Sequence, residues 1–170
     1  MSFTLVNGEK ISYAALGAHG LPVIFIHGAG SNHLIWGNQL RAVGEVARGV
    51  ALDLPGHGRS EGAGRNTVDA YRDVIVGVLD ALTFDRAVIV GHSLGGASTQ
   101  MLAWSHPERV AGIALVVPAR VCASCRRFLT ASLTISTGLR VSLRRIVSAP
   151  TPSRSCSKDP KPNFARARQA

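Results

Sequence analysis

Ser93 stands at the centre of Gly91-His92-Ser93-Leu94-Gly95-Gly96, with a glycine two residues before it and another two residues after it. A buried apolar run precedes this pattern and a helical pattern follows it, which is the context of a nucleophile elbow. The turn of an elbow is so tight that Gly91 and Gly95 must be small. The turn exposes the Ser93 hydroxyl, and the following helix directs the Leu94 amide toward a developing oxyanion. The pattern predicts acyl transfer through a serine nucleophile.

Two further glycine-rich loops end other predicted strands. His27-Gly28-Ala29-Gly30 follows the apolar run at 22–26, and Pro55-Gly56-His57-Gly58 follows the strand-like segment at 49–54. In open parallel sheets, ligands bind beyond the carboxyl ends of the strands. We therefore expect all three loops to lie at one edge of the sheet, beside Ser93.

Apolar periodicity predicts the elements that carry these loops. Strands Ser2 to Val6 and Ile11 to Leu16 are joined by Asn7-Gly8, a dipeptide suited to a tight hairpin. Beyond them, buried strand patterns alternate with helical patterns. The strands are expected at 22–26, 49–54, 87–90 and 110–117, and the helices at 32–45, 66–82 and 94–105, with Asn66 or Thr67 as a helix cap. This alternation predicts an α/β fold with a mostly parallel sheet.

Three motifs in this order resemble the α/β-hydrolase superfamily, and among its members the serine esterases and haloperoxidase-like enzymes. They are His27-Gly28-Ala29-Gly30, the segment from Asp53 to Ser60, and Gly91 to Gly96. The resemblance covers residues 1–118, which correspond to the amino-terminal part of the hydrolase core. It implies a sheet of the α/β-hydrolase type that stops after about the sixth strand.

The resemblance also implies roles for individual residues. Ser93 is the expected nucleophile, and the backbone amides of Ala29 and Leu94 are the expected oxyanion hole, with Gly30 as the alternative to Ala29. The residues expected to support these loops are His27, Gly28, Gly30, Gly91, His92 and Gly95. The neighbour of the nucleophile, His92, is expected to shape the site and not to transfer a proton.

Other candidate residues have structural interpretations. His27 and His57 lie in loops at the wrong chain position for a general base of this family, so we expect structural hydrogen bonds from them. Asp53 resembles the carboxylate nucleophile of a dehalogenase or epoxide hydrolase, but the elbow already carries a serine, so loop structure is the expected role. Trp36 and Trp104 are expected in the core or a pocket wall, and Trp36 is the better candidate to line a site.

A base and an acid do not follow Ser93 in the expected manner. A serine hydroxyl needs a positioned imidazole, and in this family the chain order is serine, acid, histidine. The only later histidine is His106, which is followed by Pro107 and resembles a structural pair of the family. The only later acids are Glu108 and Asp159. We therefore expect the chain to be inactive or incomplete as a hydrolase.

The charge of the chain changes abruptly after Pro118. Residues 1–118 contain 8 Lys/Arg and 9 Asp/Glu, whereas residues 119–170 contain 11 Lys/Arg and a single acid. We expect a hydrolase core over 1–118 and a basic, disordered tail over 119–170, for which out-of-frame translation is one explanation. Cys122 and Cys125 resemble half of a zinc site, but no second pair accompanies them, so no metal and no cofactor are expected.

The remaining expectations concern location and partners. No apolar run reaches the roughly 18 to 20 residues of a membrane-spanning helix, and the first residues lack a secretory signal pattern, so a cytoplasmic protein is expected. The expected partner is a small-molecule acyl substrate, with no specific nucleic acid, and the open sheet edge favours self-association. The alternative is a non-catalytic binding protein that uses the pocket or the basic tail.

Overall fold

Strands and helices alternate along residues 1–118, the part of the chain that this computed structural model describes. Residues 119–170, on which the predictions of a basic tail and of a Cys122–Cys125 pair fall, lie outside the described residues. The strands are β1 (Ser2–Val6), β2 (Glu9–Leu16), β3 (Val23–Ile26), β4 (Gly49–Leu52), β5 (Ala87–Ser93) and β6 (Val110–Pro118). The helices are α1 (Gly37–Gly44), α2 (Val68–Ala81) and α3 (Leu94–Ser105), with short 3-10 helices at His33–Trp36 and Pro107–Arg109.

The six strands form one mixed sheet in the order β1-β2-β4-β3-β5-β6. β4, β3, β5 and β6 run parallel, whereas β1 pairs antiparallel with β2 and β2 antiparallel with β4. This confirms the predicted α/β class and the mostly parallel sheet, and β6 is the last described element. Because β3, β4 and β5 are parallel neighbours, the three glycine-rich loops leave the sheet at the same edge.

The predicted hairpin at Asn7-Gly8 is confirmed. Both residues have positive φ, 50° at Asn7 and 85° at Gly8, as a two-residue hairpin turn of the mirror-image type requires. The register pairs Val6 with Glu9, so β2 begins two residues before the predicted Ile11. The pairing of the hairpin carries Glu9 and Lys10 into the sheet although neither is apolar.

Alternating side chains of the strands build two cores, one on each face of the sheet. On the first face, Ile24 and Ile26 of β3 pack with the buried residues of α2 and with Leu102 of α3. On the second face, Phe25 packs with Trp36 and with Leu40 of α1. The neighbouring strands alternate in the same way, which fits strands buried on both faces.

Side-chain caps set the helix starts. The Thr67 hydroxyl accepts a hydrogen bond from the Ala70 amide at 3.2 Å, so Thr67 and not Asn66 caps α2. Asn32 caps a 3-10 turn by accepting from the Leu34 amide at 2.9 Å, and the single helix predicted over 32–45 is divided between that turn and α1. Among residues 1–118, no helix has both the length and the apolar character to cross a membrane.

Alanine is expected to have opposite effects on stability at two helical glycines, Gly77 in α2, which packs against β1, and Gly37 in α1. A Cβ on Gly77 would overlap the Cγ1 atom of Val6, whereas a Cβ on Gly37 meets nothing within 4 Å. Because Val6 is buried and β-branched, Gly77→Ala is expected to lower the free energy of unfolding by about 1 to 3 kcal/mol. The control Gly37→Ala is expected to leave stability unchanged or raise it by up to about 1 kcal/mol. Urea denaturation measures both, and equal stability of the two variants would contradict the close contact.

Candidate active site

The turn at Ser93 joins β5 directly to α3 with no residue between them. Ser93 has φ of 49° and ψ of −112°, in the region of positive φ that L-residues rarely adopt. Holding a serine there costs on the order of 1–3 kcal/mol, so the surrounding packing must enforce it. This is the strained strand-to-helix turn that a Gly-x-Ser-x-Gly sequence is expected to form.

Gly91 and Gly95 leave the space that the turn needs. A Cβ on Gly91 would overlap the carbonyl of Gly95 and the hydroxyl of Thr99 in the first turns of α3. A Cβ on Gly95 would overlap the carbonyl oxygens of Ile26 and His27 at the end of β3. Glycines at both positions therefore allow α3 to approach β5 and β3 closely.

The loop at 27–30 lies directly against the elbow. A Cβ on Gly28 would stand 2.8 Å from the His92 Nδ1 atom and 3.1 Å from the Ser93 Cβ atom. The Gly28 carbonyl accepts hydrogen bonds from the Ser31 amide at 3.2 Å and from the His27 ring. Within residues 1–118 the Ala29 amide donates to no acceptor. The structure thus brings Gly28, His92 and Ser93 together and leaves an unused amide beside them.

His27 connects this loop to the chain after β4. Its ring is fully buried, its Nδ1–H donates to the Gly28 carbonyl at 2.7 Å, and its Nε2 accepts from the Leu54 amide at 3.0 Å. Since Nε2 accepts, the ring must be neutral and carry its proton on Nδ1. Burial, opposed by the bond to Gly28 and reinforced by the nearby His57, holds the pKa of His27 below its ordinary value of 6.5. His27 therefore has the structural hydrogen bonds expected of it.

His57 lies between His27 and α2. Its ring centroid is 5.1 Å from that of His27 and 6.5 Å from that of Tyr71. Its Nδ1–H donates to the Pro55 carbonyl at 2.9 Å, which closes its own loop. The Tyr71 hydroxyl accepts from the Arg65 amide at 3.0 Å. These contacts tie the loop after β4 to α2, in agreement with a structural role for His57.

Asp53 is a fully buried carboxylate that holds three segments together. Its Oδ1 accepts from the His33 amide at 2.7 Å and pairs with the His33 Nδ1 at 2.9 Å, while its Oδ2 accepts from the Arg59 amide at 3.0 Å. Burial alone would raise the pKa of Asp53, but the hydrogen bonds from Arg59 and His33 outweigh it and the pKa lies below its ordinary value of 3.8. With its oxygens occupied in this way, Asp53 has the loop-structure role that the sequence predicted.

The pairing of Asp53 with His33 could not be predicted from the sequence. His33 is only 8% exposed, and it lies in the 3-10 turn 20 residues before its partner. The only sequence cue was the isolated acid at the end of the buried strand β4, which needs donors once buried. An isolated buried acid does not indicate which residues will donate hydrogen bonds to it.

The two tryptophans lie in different surroundings. Trp36 is 5% exposed and packs against Phe25, with ring centroids 5.4 Å apart. Trp104 is 39% exposed on α3. In the described part of the chain, the Trp36 Nε1 and the His92 Nδ1 are buried side-chain atoms without a hydrogen-bond partner. Trp36 therefore belongs to the second core, while His92 presents an unused ring nitrogen beside Gly28.

His106 lies too far from the elbow to activate Ser93. It follows the last residue of α3, and this 12-residue helix separates it from Ser93 by about 18 Å. Its Nδ1 lies 3.5 Å from a Glu108 carboxylate oxygen. Across residues 1–118 no three His, Cys, Asp or Glu side chains are grouped to hold a metal ion.

Comparison with known proteins identifies the family. The family model described as alpha/beta hydrolase fold matches residues 22–163. The chain belongs to the α/β-hydrolase family. The six-stranded sheet and the strained serine turn described above are consistent with this assignment.

Individual relatives within and around the family show how much of the chain is shared. The chain is 37% identical over 118 residues to the dihydrolipoyllysine-residue acetyltransferase component of the acetoin cleaving system of Cupriavidus necator, covering 68% of this chain and 31% of the relative. It is 38% identical over 107 residues to the 2-hydroxymuconate semialdehyde hydrolase of Pseudomonas sp. strain CF600, covering 60% of this chain and 38% of the relative.

A solved structure gives the same picture. The structure of an N-acyl homoserine lactone degrading enzyme matches with a TM-score of 0.65 and 36% identity, covering 69% of this chain and 45% of that one. The chain thus spans less than half the length of each of these relatives.

Removing the buried charge of Asp53 tests whether this side chain holds the His33 and Arg59 segments in place. Asp53→Asn is expected to lower the free energy of unfolding by about 2 to 4 kcal/mol at neutral pH, because the donors of His33 and Arg59 lose a charged acceptor. The folded-state pKa of Asp53 is lowered, so this contribution is present above pH 3.8 and is lost as the pH falls below it. The difference in the free energy of unfolding between wild type and Asp53→Asn should therefore decrease as the pH falls below 3.8. Urea denaturation at a series of pH values measures this difference, and Asp85→Asn, at an exposed position, is the control. An Asp53→Asn variant as stable as wild type at neutral pH would contradict the stabilising role of Asp53.

The strain at Ser93 predicts a gain in stability from glycine. Relative to Ser93→Ala, Ser93→Gly is expected to be more stable by about 1 to 2 kcal/mol, since glycine adopts positive φ without a steric cost. Both variants lack the hydroxyl, so the comparison isolates the backbone. At Ser105, in the last turn of α3, the same comparison should have the opposite sign by about 1 kcal/mol. Thermal and urea unfolding measure both pairs, and a Ser93→Gly variant no more stable than Ser93→Ala would show that the turn is unstrained.

Proposed function

We propose that this α/β-hydrolase chain carries the nucleophile and the oxyanion-binding half of an acyl hydrolase, with Ser93 as the nucleophile. The observation that carries the proposal is the contact of the strained Ser93 turn with Gly28, next to the unused Ala29 amide. A serine at positive φ between a strand and a helix has a steric cost that glycine would avoid. Strain of this kind is typical of functional sites.

In the proposed reaction the Ser93 Oγ attacks the carbonyl carbon of an ester, and the carbonyl electron pair moves onto oxygen. The amides of Ala29 and Leu94 stabilise this oxyanion, assisted by the positive end of the α3 dipole. A general base takes the Ser93 proton during the attack and returns it to the leaving oxygen, so that collapse of the tetrahedral intermediate expels the alcohol and leaves an acyl-serine. Attack by water then releases the acid and regenerates Ser93.

We propose that none of the histidines of residues 1–118 supplies the general base, including His92, whose ring is expected to shape the site although its Nδ1 atom has no hydrogen-bond partner. The ring of His27 uses both nitrogens, and His33 and His57 each use Nδ1 in the loops. His106 is at the far end of α3, and no histidine follows it in the sequence. We therefore propose that this chain turns over slowly or not at all by itself, because Ser93 keeps its proton.

For the substrate we propose small carboxylic esters or related acyl compounds. The support is the reaction named for relatives: one degrades N-acyl homoserine lactones and another is a 2-hydroxymuconate semialdehyde hydrolase. Both names imply attack at a carbonyl carbon, which is the chemistry that the Ser93 turn suits. Fold-level similarity does not choose among such substrates.

Chemical rescue tests the proposed function. With p-nitrophenyl acetate alone, the full chain is expected to release nitrophenol no faster than Ser93→Ala. Added imidazole can take the Ser93 proton, so it should raise the rate of wild type about tenfold or more above that of Ser93→Ala at the same imidazole concentration. The control Ser105→Ala, on the same helix, should behave as wild type.

Two other outcomes of this assay have definite meanings. Equal rates for wild type and Ser93→Ala in imidazole would overturn the proposal that this chain carries a working acyl-transfer half-site. Hydrolysis that depends on Ser93 without imidazole would show that a group of the chain itself acts as the base.

A further inference from the structure

The His27 imidazole is placed to set the direction of one peptide group in the candidate site. We propose that His27 is a positioning residue which holds the Gly28–Ala29 peptide with its amide toward Ser93, and that protonation of the ring releases this peptide. The inference rests on the proposed function only in assigning a use to the amide. The geometry itself is independent of any activity.

Two hydrogen bonds fix the orientation of the Gly28–Ala29 peptide group. The Gly28 carbonyl accepts from the His27 Nδ1–H at 2.7 Å and from the Ser31 amide at 3.2 Å, so both of its lone pairs are engaged. In a trans peptide the C=O and the following N–H point in opposite directions. Fixing the Gly28 carbonyl on the His27 side therefore fixes the Ala29 N–H on the opposite side.

Gly28, the first residue of this peptide group, lies directly against the elbow. The α-carbon of Gly28 faces the elbow so closely that a Cβ there would lie 3.1 Å from the Ser93 Cβ atom. The Ala29 amide has no acceptor within residues 1–118. An amide that is held rigidly and left without a partner beside a nucleophile is arranged to receive charge that develops only during reaction.

A second proton on the His27 ring is incompatible with the hydrogen bonds that its two nitrogens make. The neutral ring donates from Nδ1 and accepts from the Leu54 amide at Nε2. A second proton, on Nε2, would face the Leu54 N–H, so that two donors would oppose each other across 3.0 Å. Relieving this conflict requires the ring to move, and movement of the ring withdraws the Nδ1 donor from Gly28.

Charged and titratable groups around His27 act in both directions. His57, whose ring centroid is 5.1 Å away, and His33 oppose a positive charge on His27, whereas the Asp53 carboxylate favours it. The carboxylate is already occupied by donors of His33 and Arg59. The full burial of the ring is the largest influence and also disfavours the charged form, so the pKa of His27 lies below its ordinary value of 6.5 and release occurs only as the pH falls below that value.

The Ala29 amide can be observed directly in the full chain. Labelling glycine with carbonyl ¹³C and alanine with ¹⁵N shows only Gly-Ala pairs, of which the sequence contains four, ending at Ala18, Ala29, Ala63 and Ala97. The variant Ala29→Ser identifies the Ala29 peak by its disappearance. The peak is expected to shift as the pH is lowered, with a midpoint below 6.5.

Two substitutions separate the two ring nitrogens of His27. An asparagine amide can replace the Nδ1 donor to Gly28, whereas a glutamine oxygen can replace the Nε2 acceptor for Leu54. In His27→Asn the Ala29 peak should stay near its neutral-pH position and lose its shift with pH. In His27→Gln the peak should be displaced already at neutral pH. The shift should persist in His57→Asn, the control for the neighbouring ring.

The outcomes that overturn the inference are equally specific. An Ala29 peak in wild type that does not move between about pH 8.5 and 4.5, the range roughly two units either side of the ordinary histidine pKa, would exclude release, and this measurement needs no variant to fold. A shift that survives in His27→Asn, or that vanishes in His57→Asn, would assign the titration to another group.

Imidazole-rescued hydrolysis connects the peptide to the reaction. With p-nitrophenyl acetate, His27→Gln should lose roughly 10- to 100-fold of the Ser93-dependent rate, and His27→Asn should lose much less. If wild type shows no Ser93-dependent hydrolysis, the proposed function fails while the amide titration still decides the positioning role. Equal losses in the two variants, with the Ala29 peak displaced only in His27→Gln, would show that the amide is oriented by His27 but has no part in hydrolysis.

Discussion

The positive φ of Ser93 is the constraint on which the arrangement of the site depends. A backbone that turns from β5 into α3 within one residue requires α3 to begin against the ends of β5 and β3, and only glycines at 91 and 95 leave room for this approach. The close approach then places Gly28 against the elbow. The cost of the turn falls on a single residue, and it is met by the packing of α3 with the sheet and with α2.

Buried polar side chains give the loops of the site their order. The segments after β3 and β4 have little regular structure, so their backbone groups need other partners. Asp53 supplies acceptors for amides of two separate segments, and His27 supplies one donor and one acceptor. Each of these groups would cost about 1–3 kcal/mol if left unpaired in the interior, so the loops are held in one arrangement and not in several.

Structural hydrogen bonds limit which histidines of the described residues can act as a base. A buried histidine whose nitrogens are both committed has no lone pair to accept a proton from serine without breaking the loop that it holds. The described α/β-hydrolase core thus combines the strained turn at Ser93 with the Ala29 amide that we propose as part of an oxyanion hole. We propose that the proton-transfer component of the reaction comes from outside these residues.

The sequence by itself determined the features that depend on neighbouring residues. The alternation of buried strand and helix patterns predicted the α/β class, the Asn7-Gly8 pair predicted the hairpin, and the glycine spacing around Ser93 predicted a strand-to-helix turn at that serine. Each of these follows from local conformational preference or from periodicity of burial. The apolar runs before the three glycine-rich loops predicted that each loop follows the end of a strand.

Only the tertiary structure decided which polar groups meet. The partnership of Asp53 with His33 joins positions 20 residues apart, and that of His27 with Leu54 joins positions 27 residues apart. The tertiary structure also ended β4 at Leu52, where the pairing gives way to the loop that Asp53 organises, and divided the helix predicted over 32–45. Sequence spacing carries no record of such contacts, because a hydrogen bond depends on where the sheet brings two loops and not on their separation along the chain.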